Sequence, residues 1–302
     1  MTAVELLWDA QCQLAESPVW DAAARRILFC ANDSAGRILG FRVDDGRREE
    51  WRLPEPVASF GLCQSGRLIV AFARRVVLLD LATGKVVALT GDLAEPAGNQ
   101  FNDGRPGPDG CYWVGTRDAR RSRQLGSGTT VPDPNGGLYR IGSDGSAICA
   151  TRGFLTSNGL AFSPDGGTMY YSDSANNFVD AWDFSLGRIS RRRRFATLTP
   201  AVGKPDGAAV DEEGCYWSAG VSAACVNRFA PDGRLMSAVP MPCPAPTMPC
   251  FADGYLYVTS MRGVHREAAA SLADLPYPIA GLFRLPVTVT GAPVAVFADS
   301  SL

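Results

Sequence analysis

Apolar and polar positions alternate along this chain in short runs, and the runs come in pairs. Arg26-Ile27-Leu28-Phe29-Cys30 is followed by Arg37-Ile38-Leu39-Gly40-Phe41-Arg42-Val43, and Gly66-Arg67-Leu68-Ile69-Val70 by Val76-Val77-Leu78-Leu79-Asp80. Gly110-Cys111-Tyr112-Trp113-Val114-Gly115 leads to Gly137-Leu138-Tyr139-Arg140-Ile141, and Thr168-Met169-Tyr170-Tyr171-Ser172 to Val179-Asp180-Ala181-Trp182-Asp183-Phe184. The last pairs are Gly214-Cys215-Tyr216-Trp217-Ser218 with Val226-Asn227-Arg228-Phe229, and Gly254-Tyr255-Leu256-Tyr257-Val258-Thr259 with Gly281-Leu282-Phe283-Arg284-Leu285. A period of two predicts strands. Asp44-Asp45-Gly46, Pro108-Asp109-Gly110, Pro164-Asp165-Gly166 and Pro231-Asp232-Gly233 punctuate them as turns, and no segment carries a long helical period.

Six copies recur at a spacing of roughly 40 to 57 residues, a period that belongs to β-propellers with four strands per blade. The pattern therefore predicts an all-β fold, a six-bladed β-propeller. No linker-like tract divides the chain, so residues 1–302 read as a single domain. The leading strand of each pair is expected beside the central channel. Val4-Glu5-Leu6-Leu7-Trp8 is expected to close the ring by pairing with the last blade, which removes an exposed edge. A β-sandwich has similar strand content but does not explain six matched copies.

Composition narrows the function. Hydrophobic residues make up 46% and the net charge is −2, ordinary for a soluble globular chain. There is no basic field of the kind that binds nucleic acid, and no apolar run long enough to cross a membrane. The first residues lack the features of a signal peptide, which points to the cytoplasm. The nine cysteines are scattered singly, without a Cys-x-x-Cys pair; they read as buried thiols of a reducing compartment rather than a disulfide or zinc framework. His265 is the only histidine. Multi-His zinc sites are excluded, and a Ser-His-Asp or Cys-His mechanism would have to use this one residue, which reads as a loop histidine.

Four polar segments stand out against the strands. They are Leu14-Ala15-Glu16-Ser17-Pro18-Val19-Trp20, Asn99-Gln100-Phe101-Asn102-Asp103-Gly104, Ser157-Asn158-Gly159-Leu160 and Lys204-Pro205-Asp206-Gly207. Only a closed, repeating fold brings them together. They fall just before, or at the start of, the strands expected at the channel, so their side chains are expected at one mouth. If they converge, Glu16, Asn102, Asn158 and Asp206 make an all-oxygen pocket suited to a hard divalent cation. Taken singly, Asn158-Gly159 and Asp206-Gly207 are also ordinary turn sequences.

In this order and on this repeat, Glu-Ser-Pro-x-Trp, Asn-x-Phe-Asn-Asp-Gly, Ser-Asn-Gly-Leu-x-Phe-Ser-Pro-Asp-Gly and Pro-Asp-Gly resemble the gluconolactonase, senescence marker protein (regucalcin) and luciferin-regenerating enzyme family. The resemblance runs from Glu16 to Gly281-Leu282-Phe283. It implies one divalent cation in the channel and hydrolysis of sugar lactones. By position it implies that Glu16, Asn158 and Asp206 are metal ligands, that Asn102 faces metal and substrate, and that Asp206 doubles as general base. Gln100, Asp103 and Arg117 are expected to line the sugar pocket. Gln100 stands where the family often has Arg, and Arg117 where many members have Met; Arg117 reads either as a replacement for the lost positive charge of the pocket or as a residue pointing to solvent. Ca²⁺ is the expected metal, with Zn²⁺, Mn²⁺, Mg²⁺ or Fe²⁺ also compatible with oxygen ligands.

The resulting expectation is a metal-dependent lactonase opening an aldono-1,4- or 1,5-lactone to its aldonic acid, with a small sugar lactone as partner and neither nucleic acid nor membrane. A phosphotriester or arylester hydrolase of the same fold is the enzymatic alternative, and a non-catalytic calcium-binding propeller the other. Three further features are set apart. Arg191-Arg192-Arg193-Arg194 reads as a solvated outer strand. The polar loop within 118–136 reads equally as a lid or as an ordinary solvated loop. Tyr112, Trp113, Tyr216 and Trp217 read as core between blades.

Overall fold

A computed structural model describes residues 4–32, 36–118, 134–262 and 280–299. Every regular element among them is a strand. The first, β1 (Glu5–Cys12), stands apart from those that follow it in sequence. Blade 1 is β2 (Ala15–Asp21), β3 (Arg26–Ala31), β4 (Arg37–Arg42) and β5 (Arg48–Arg52); blade 2 is β6 (Ser59–Leu62), β7 (Leu68–Ala71), β8 (Val76–Leu79) and β9 (Val86–Ala88). Blade 3 is β10 (Asn99–Pro106), β11 (Tyr112–Asp118), β12 (Gly136–Ile141) and β13 (Ala147–Phe154); blade 4 is β14 (Ser157–Phe162), β15 (Thr168–Asp173), β16 (Phe178–Ser185) and β17 (Arg188–Thr197). Blade 5 is β18 (Pro205–Val210), β19 (Tyr216–Gly220), β20 (Cys225–Phe229) and β21 (Leu235–Pro240). Blade 6 is β22 (Pro246–Ala252), β23 (Tyr255–Ser260) and β24 (Ala280–Pro286), and its fourth strand is β1.

Each blade is a four-stranded antiparallel meander, and the expected closure is present: β1 pairs with β24, Glu5 opposite Arg284 and Leu6 opposite Phe283. The period of two explains the packing. Along β3, Ile27, Phe29 and Ala31 pack on blade 6, while Leu28 and Cys30 pack on blade 2. Neighbouring aromatics divide in the same way. Tyr112 faces blade 2 and Trp113 faces blade 4; Tyr216 faces blade 4 and Trp217 faces blade 6. All four are buried, as expected of residues between blades.

One placement differs from expectation. The leading strands of the six pairs are the second strands of their blades. The innermost strands lie one element earlier and contain the polar segments themselves, with Glu16 in β2, Asn102 in β10, Asn158 in β14 and Asp206 in β18. Their alternation is interrupted by shifts of register, between Glu16 and Val19, Phe101 and Gly104, Asn158 and Ala161, and Pro205 and Ala208. Bulges of this kind re-aim side chains beside functional sites. The inner strand of blade 2, β6, has neither a polar motif nor a bulge.

The arginine run is not simply solvated. β17 lies beside β16, where Arg192 and Arg194 both pair with Asp180, and Arg191 and Arg193 with Asp183. The guanidinium of Arg194 also lies 3.7 Å from the ring centroid of Phe178. All nine cysteines are free; Cys149 is exposed and Cys111 half-buried, against the expectation of burial, while the other seven are buried. Past β24, the chain crosses the ring. Glu212 N donates to Thr290 O and Ala292 N to Val210 O in blade 5, and Phe297 N donates to Leu62 O in blade 2. Asp299 anchors the end of this strap on Arg67 at 2.8 Å and on Ser65.

Candidate active site

The bulges bring the four polar segments to one end of the channel. Ser17, directly after Glu16, has φ 53° and Gly159, directly after Asn158, has φ 60°. Gly159 is required twice over. Its conformation is left-handed, and a Cβ there would lie 2.3 Å from the Tyr216 hydroxyl and 2.6 Å from Ser172 Oγ. Asn158-Gly159 is therefore a bulge inside a strand and not a hairpin turn.

Two asparagines form one chain of hydrogen bonds. Asn102 Nδ2 donates to Ser157 O at 2.8 Å and to Asn158 Oδ1 at 2.7 Å. Asn158 Nδ2 donates to Ser174 Oγ at 2.7 Å, and Ser174 Oγ donates to Pro205 O at 2.5 Å. A carbonyl can only accept, so Ser157 O and Pro205 O at the two ends fix which way each amide points. Oδ1 of Asn102 accepts no hydrogen bond among the described residues, and Oδ1 of Asn158 keeps a lone pair. Ser174 was not singled out by the sequence. It lies in the turn after β15, and no local pattern marks it.

Three carboxylates share this region, Asp103 and Asp206 buried and Glu16 half-buried. Burial, then repulsion from Asp206 and Asp103, push the Glu16 carboxyl well above the ordinary carboxylate range. Asp206 is pushed up to about 8 by burial and then by Asp103, with Arg117 opposing. Asp103 is raised by burial, while Arg105 and the N–H groups of Leu160, Gly104 and Gly159 resist the rise. Its Oδ2 accepts from Leu160 N at 2.8 Å, and its Oδ1 is buried without a hydrogen-bond partner among the described residues. Asp103 thus ties blade 3 to the bulge of blade 4.

Arg117, in β11, lies opposite Gln100 in β10, and it acts electrostatically on both Asp206 and Glu16. Burial lowers its own pKa, and the two carboxylates oppose that. Beside this pair, Glu95 accepts from Asn99 Nδ2 at 2.8 Å and Thr116 Oγ1 at 2.9 Å, so one carboxylate braces the start of β10 against β11. Thr247 lies in β22, with its hydroxyl bonded to Ala15 O at 2.6 Å and to Thr259 Oγ1 at 2.9 Å. The expectation for 118–136 falls mostly on residues 119–133, and that for His265 on 263–279; both stretches lie outside the described residues.

The family model described as SMP-30/Gluconolactonase/LRE-like region matches residues 14–262, a span that holds all of these groups. The chain belongs to this family. It is 37% identical over 298 residues to 6-deoxy-6-sulfogluconolactonase of Pseudomonas putida, covering 94% of this chain and 95% of that protein. It is 30% identical over 300 residues to L-arabinolactonase of Azospirillum brasilense, covering 98% of this chain and 95% of that one. Regucalcin of Agrobacterium tumefaciens, described as a calcium-binding protein, superposes with a TM-score of 0.85 at 24% identity, over 98% of this chain and 97% of that one. That likeness shows the fold.

For a gluconolactonase-like chain, the other acidic group needs separate weighing. Asp211, Glu213 and Cys215 have ligand atoms within 4.8 Å of one another. Arg228 already pairs with Asp211 at 2.7 Å and Glu213 at 2.6 Å, and Asp211 also takes Trp217 Nε1 and Cys215 N. Both carboxylates of this group are thus already paired with Arg228, whereas burial and repulsion between carboxylates raise the pKa values of Glu16 and Asp206.

Proposed function

We propose that this chain hydrolyses a sugar lactone to its aldonic acid with one divalent cation, held by Glu16, Asn158 and Asp206. The observation that carries the reading is the juxtaposition of two carboxylates, half-buried Glu16 and buried Asp206, with an amide chain whose oxygens are oriented by Ser157 O and Pro205 O. The donors are carboxylate and amide oxygens only, which suits a hard cation, and Ca²⁺ is the proposed metal. Burying two repelling carboxylates is unfavourable unless a positive charge offsets them.

When bound, such a cation supplies polarisation of the lactone carbonyl and makes water easier to deprotonate. The rest falls to the protein. Asp206 takes a proton from the attacking water as its oxygen bonds to the carbonyl carbon. The carbon–ring-oxygen bond then breaks, and the proton returns to the departing ring oxygen, leaving a hydroxy acid. Asn102 holds water or substrate beside the carboxylates. Gln100 and Arg117, facing each other across β10 and β11, bind the sugar's substituents. The two lactonase relatives support the substrate class.

The test is proton release at constant pH from a panel of aldonolactones, using chelated protein, protein with each divalent metal restored, and Asp206→Asn. Metal-dependent hydrolysis that disappears in the variant is expected. Rates no higher than spontaneous hydrolysis with every metal would overturn the reading.

A further inference from the structure

The inner strands carry the candidate active site at their beginnings, and their later residues line the other end of the channel. There a cavity of about 650 Å³ opens, within the range of small-molecule sites. Much of its wall is apolar, with Phe60, Phe162, Val210 and Met248 on the inner strands and Val296 on the strap. Two lining carboxylates are turned into their own loops. Asp109 accepts from Trp113 Nε1 at 3.0 Å and Arg140 Nε at 2.7 Å, and Asp165 from Ser163 Oγ at 2.5 Å and Gly167 N at 2.9 Å.

Arg105 is different. It follows the Asp103 bulge and reaches across the channel to blade 5, where Nη2 donates to Ala208 O at 2.6 Å. Its Nε is buried and has no hydrogen-bond partner among the described residues. A buried, unpaired donor on a permanent cation is a group that an anionic oxygen satisfies well. The wall also holds Ser17, Gln64 and Ser163, but it is more apolar than polar, and a polyhydroxylated ligand would lose more water there than these few groups replace. That argues against a sugar acid here and for an apolar body.

We propose that this far chamber is a second binding site, for a small carboxylate with an apolar body. The head of the ligand sits on Arg105 and its tail lies against Phe60, Phe162 and Met248. Arg105 also acts on Asp103 of the candidate active site, but the proposal is separate from the lactonase reading because its test reads binding in the far chamber and not hydrolysis.

Calorimetry on the full chain saturated with Ca²⁺ tests it, with heptanoate as the probe and heptanol as its uncharged counterpart. One equivalent of heptanoate is expected to bind, and heptanol at least tenfold more weakly. Val296→Trp narrows the chamber from the strap and leaves Arg105 in place; it should weaken heptanoate at least tenfold, as should Arg105→Met. Gluconate should not displace the probe. The proposal is overturned by absence of heptanoate binding, by equal binding of heptanol, by displacement with gluconate, or by an unchanged affinity in Val296→Trp. If Arg105→Met does not fold, Val296→Trp and the heptanol comparison decide the matter alone.

Discussion

Asn102 and Asn158, on neighbouring blades, are joined by a 2.7 Å hydrogen bond from Nδ2 of the first to Oδ1 of the second. Ser174 fixes that direction from the Asn158 side, as Ser157 O does from the Asn102 side, since its hydroxyl proton is used on Pro205 O and its oxygen must accept. Ser174→Ala removes one of these two anchors and loosens the Asn158 amide. Metal affinity should fall about 10- to 100-fold, the usual effect of losing a group that orients a ligand. Calorimetric titration with Ca²⁺ measures it. Ser174→Thr, which keeps the hydroxyl, should restore most of the affinity; equal loss in both variants would show that the hydroxyl is not the cause.

Stability without metal should depend on pH in a defined direction. Burial, then Asp103, raise the Asp206 carboxyl from its ordinary range near 4 to about 8. The folded state therefore holds this proton more tightly than the unfolded state does. The stabilising contribution is complete below the unfolded pKa and is lost as pH rises through the folded one. Chelated protein should melt at progressively lower temperature between pH 5 and 8, roughly, and Asp206→Asn should flatten that slope. Ca²⁺ at about 100 times its dissociation constant should restore about 2.7 kcal/mol. A chelated wild type that grows more stable across the same interval would contradict the assignment.

Much of this fold is legible in the sequence, and the reasons are local. Adjacent residues such as Tyr112 and Trp113 fill opposite interfaces, so the second and third strands of each blade show up as dense apolar runs. The innermost strands are harder to see. In Ala15–Asp21 and Pro205–Val210 a bulge breaks the alternation, and the Pro, Gly and Asp that build it look like turn residues. Their motifs were recognisable while their place in the blade was not. Arg105 and Ser174 carried no signal at all. Arg105 matters because of a cavity formed by six blades, and Ser174 because of a carbonyl contributed by the next blade.

Gly159 separates the turn reading of Asn158-Gly159 from the bulge. In an exposed turn, Gly159→Ala costs about 1 kcal/mol through its positive φ. Here the new methyl group also meets Tyr216 Oη, Ser172 Oγ and, at 3.0 Å, Asp206 O. The expected loss is about 2–4 kcal/mol, together with weakened metal binding, because the carbonyl it presses on belongs to Asp206. Urea melts and Ca²⁺ titration of the variant check both parts.

Asp299 lies fully buried where the strap ends, paired with Arg67. Asp299→Ala leaves that guanidinium without its carboxylate. Because Arg67 keeps some contact with water, the cost should be about 3 kcal/mol, the low end for breaking a buried pair. The variant should also loosen Ala298 N from Gly110 O and Phe297 N from Leu62 O, so these amides should exchange with solvent faster than the rest of blade 2. Unchanged exchange there would show that Phe297, buried between blades 2 and 3, holds the strap without the ion pair.

Under the proposed function, Arg117 is the residue to test for the choice of lactone. Its guanidinium acts on Glu16 and Asp206 and faces Gln100 across the strands. In the proposed site it would donate to hydroxyls and favour negative charge on the substrate. Arg117→Met removes both effects while keeping a long side chain. For a lactone bearing an acidic substituent, kcat/KM should fall by about 10-fold or more, and for a neutral aldonolactone by much less. Assays of a matched pair, one neutral and one anionic, with wild type and variant separate the two effects. An equal fall on both substrates would make Arg117 a partner of Glu16 and Asp206 alone, and an unchanged profile would remove it from substrate recognition.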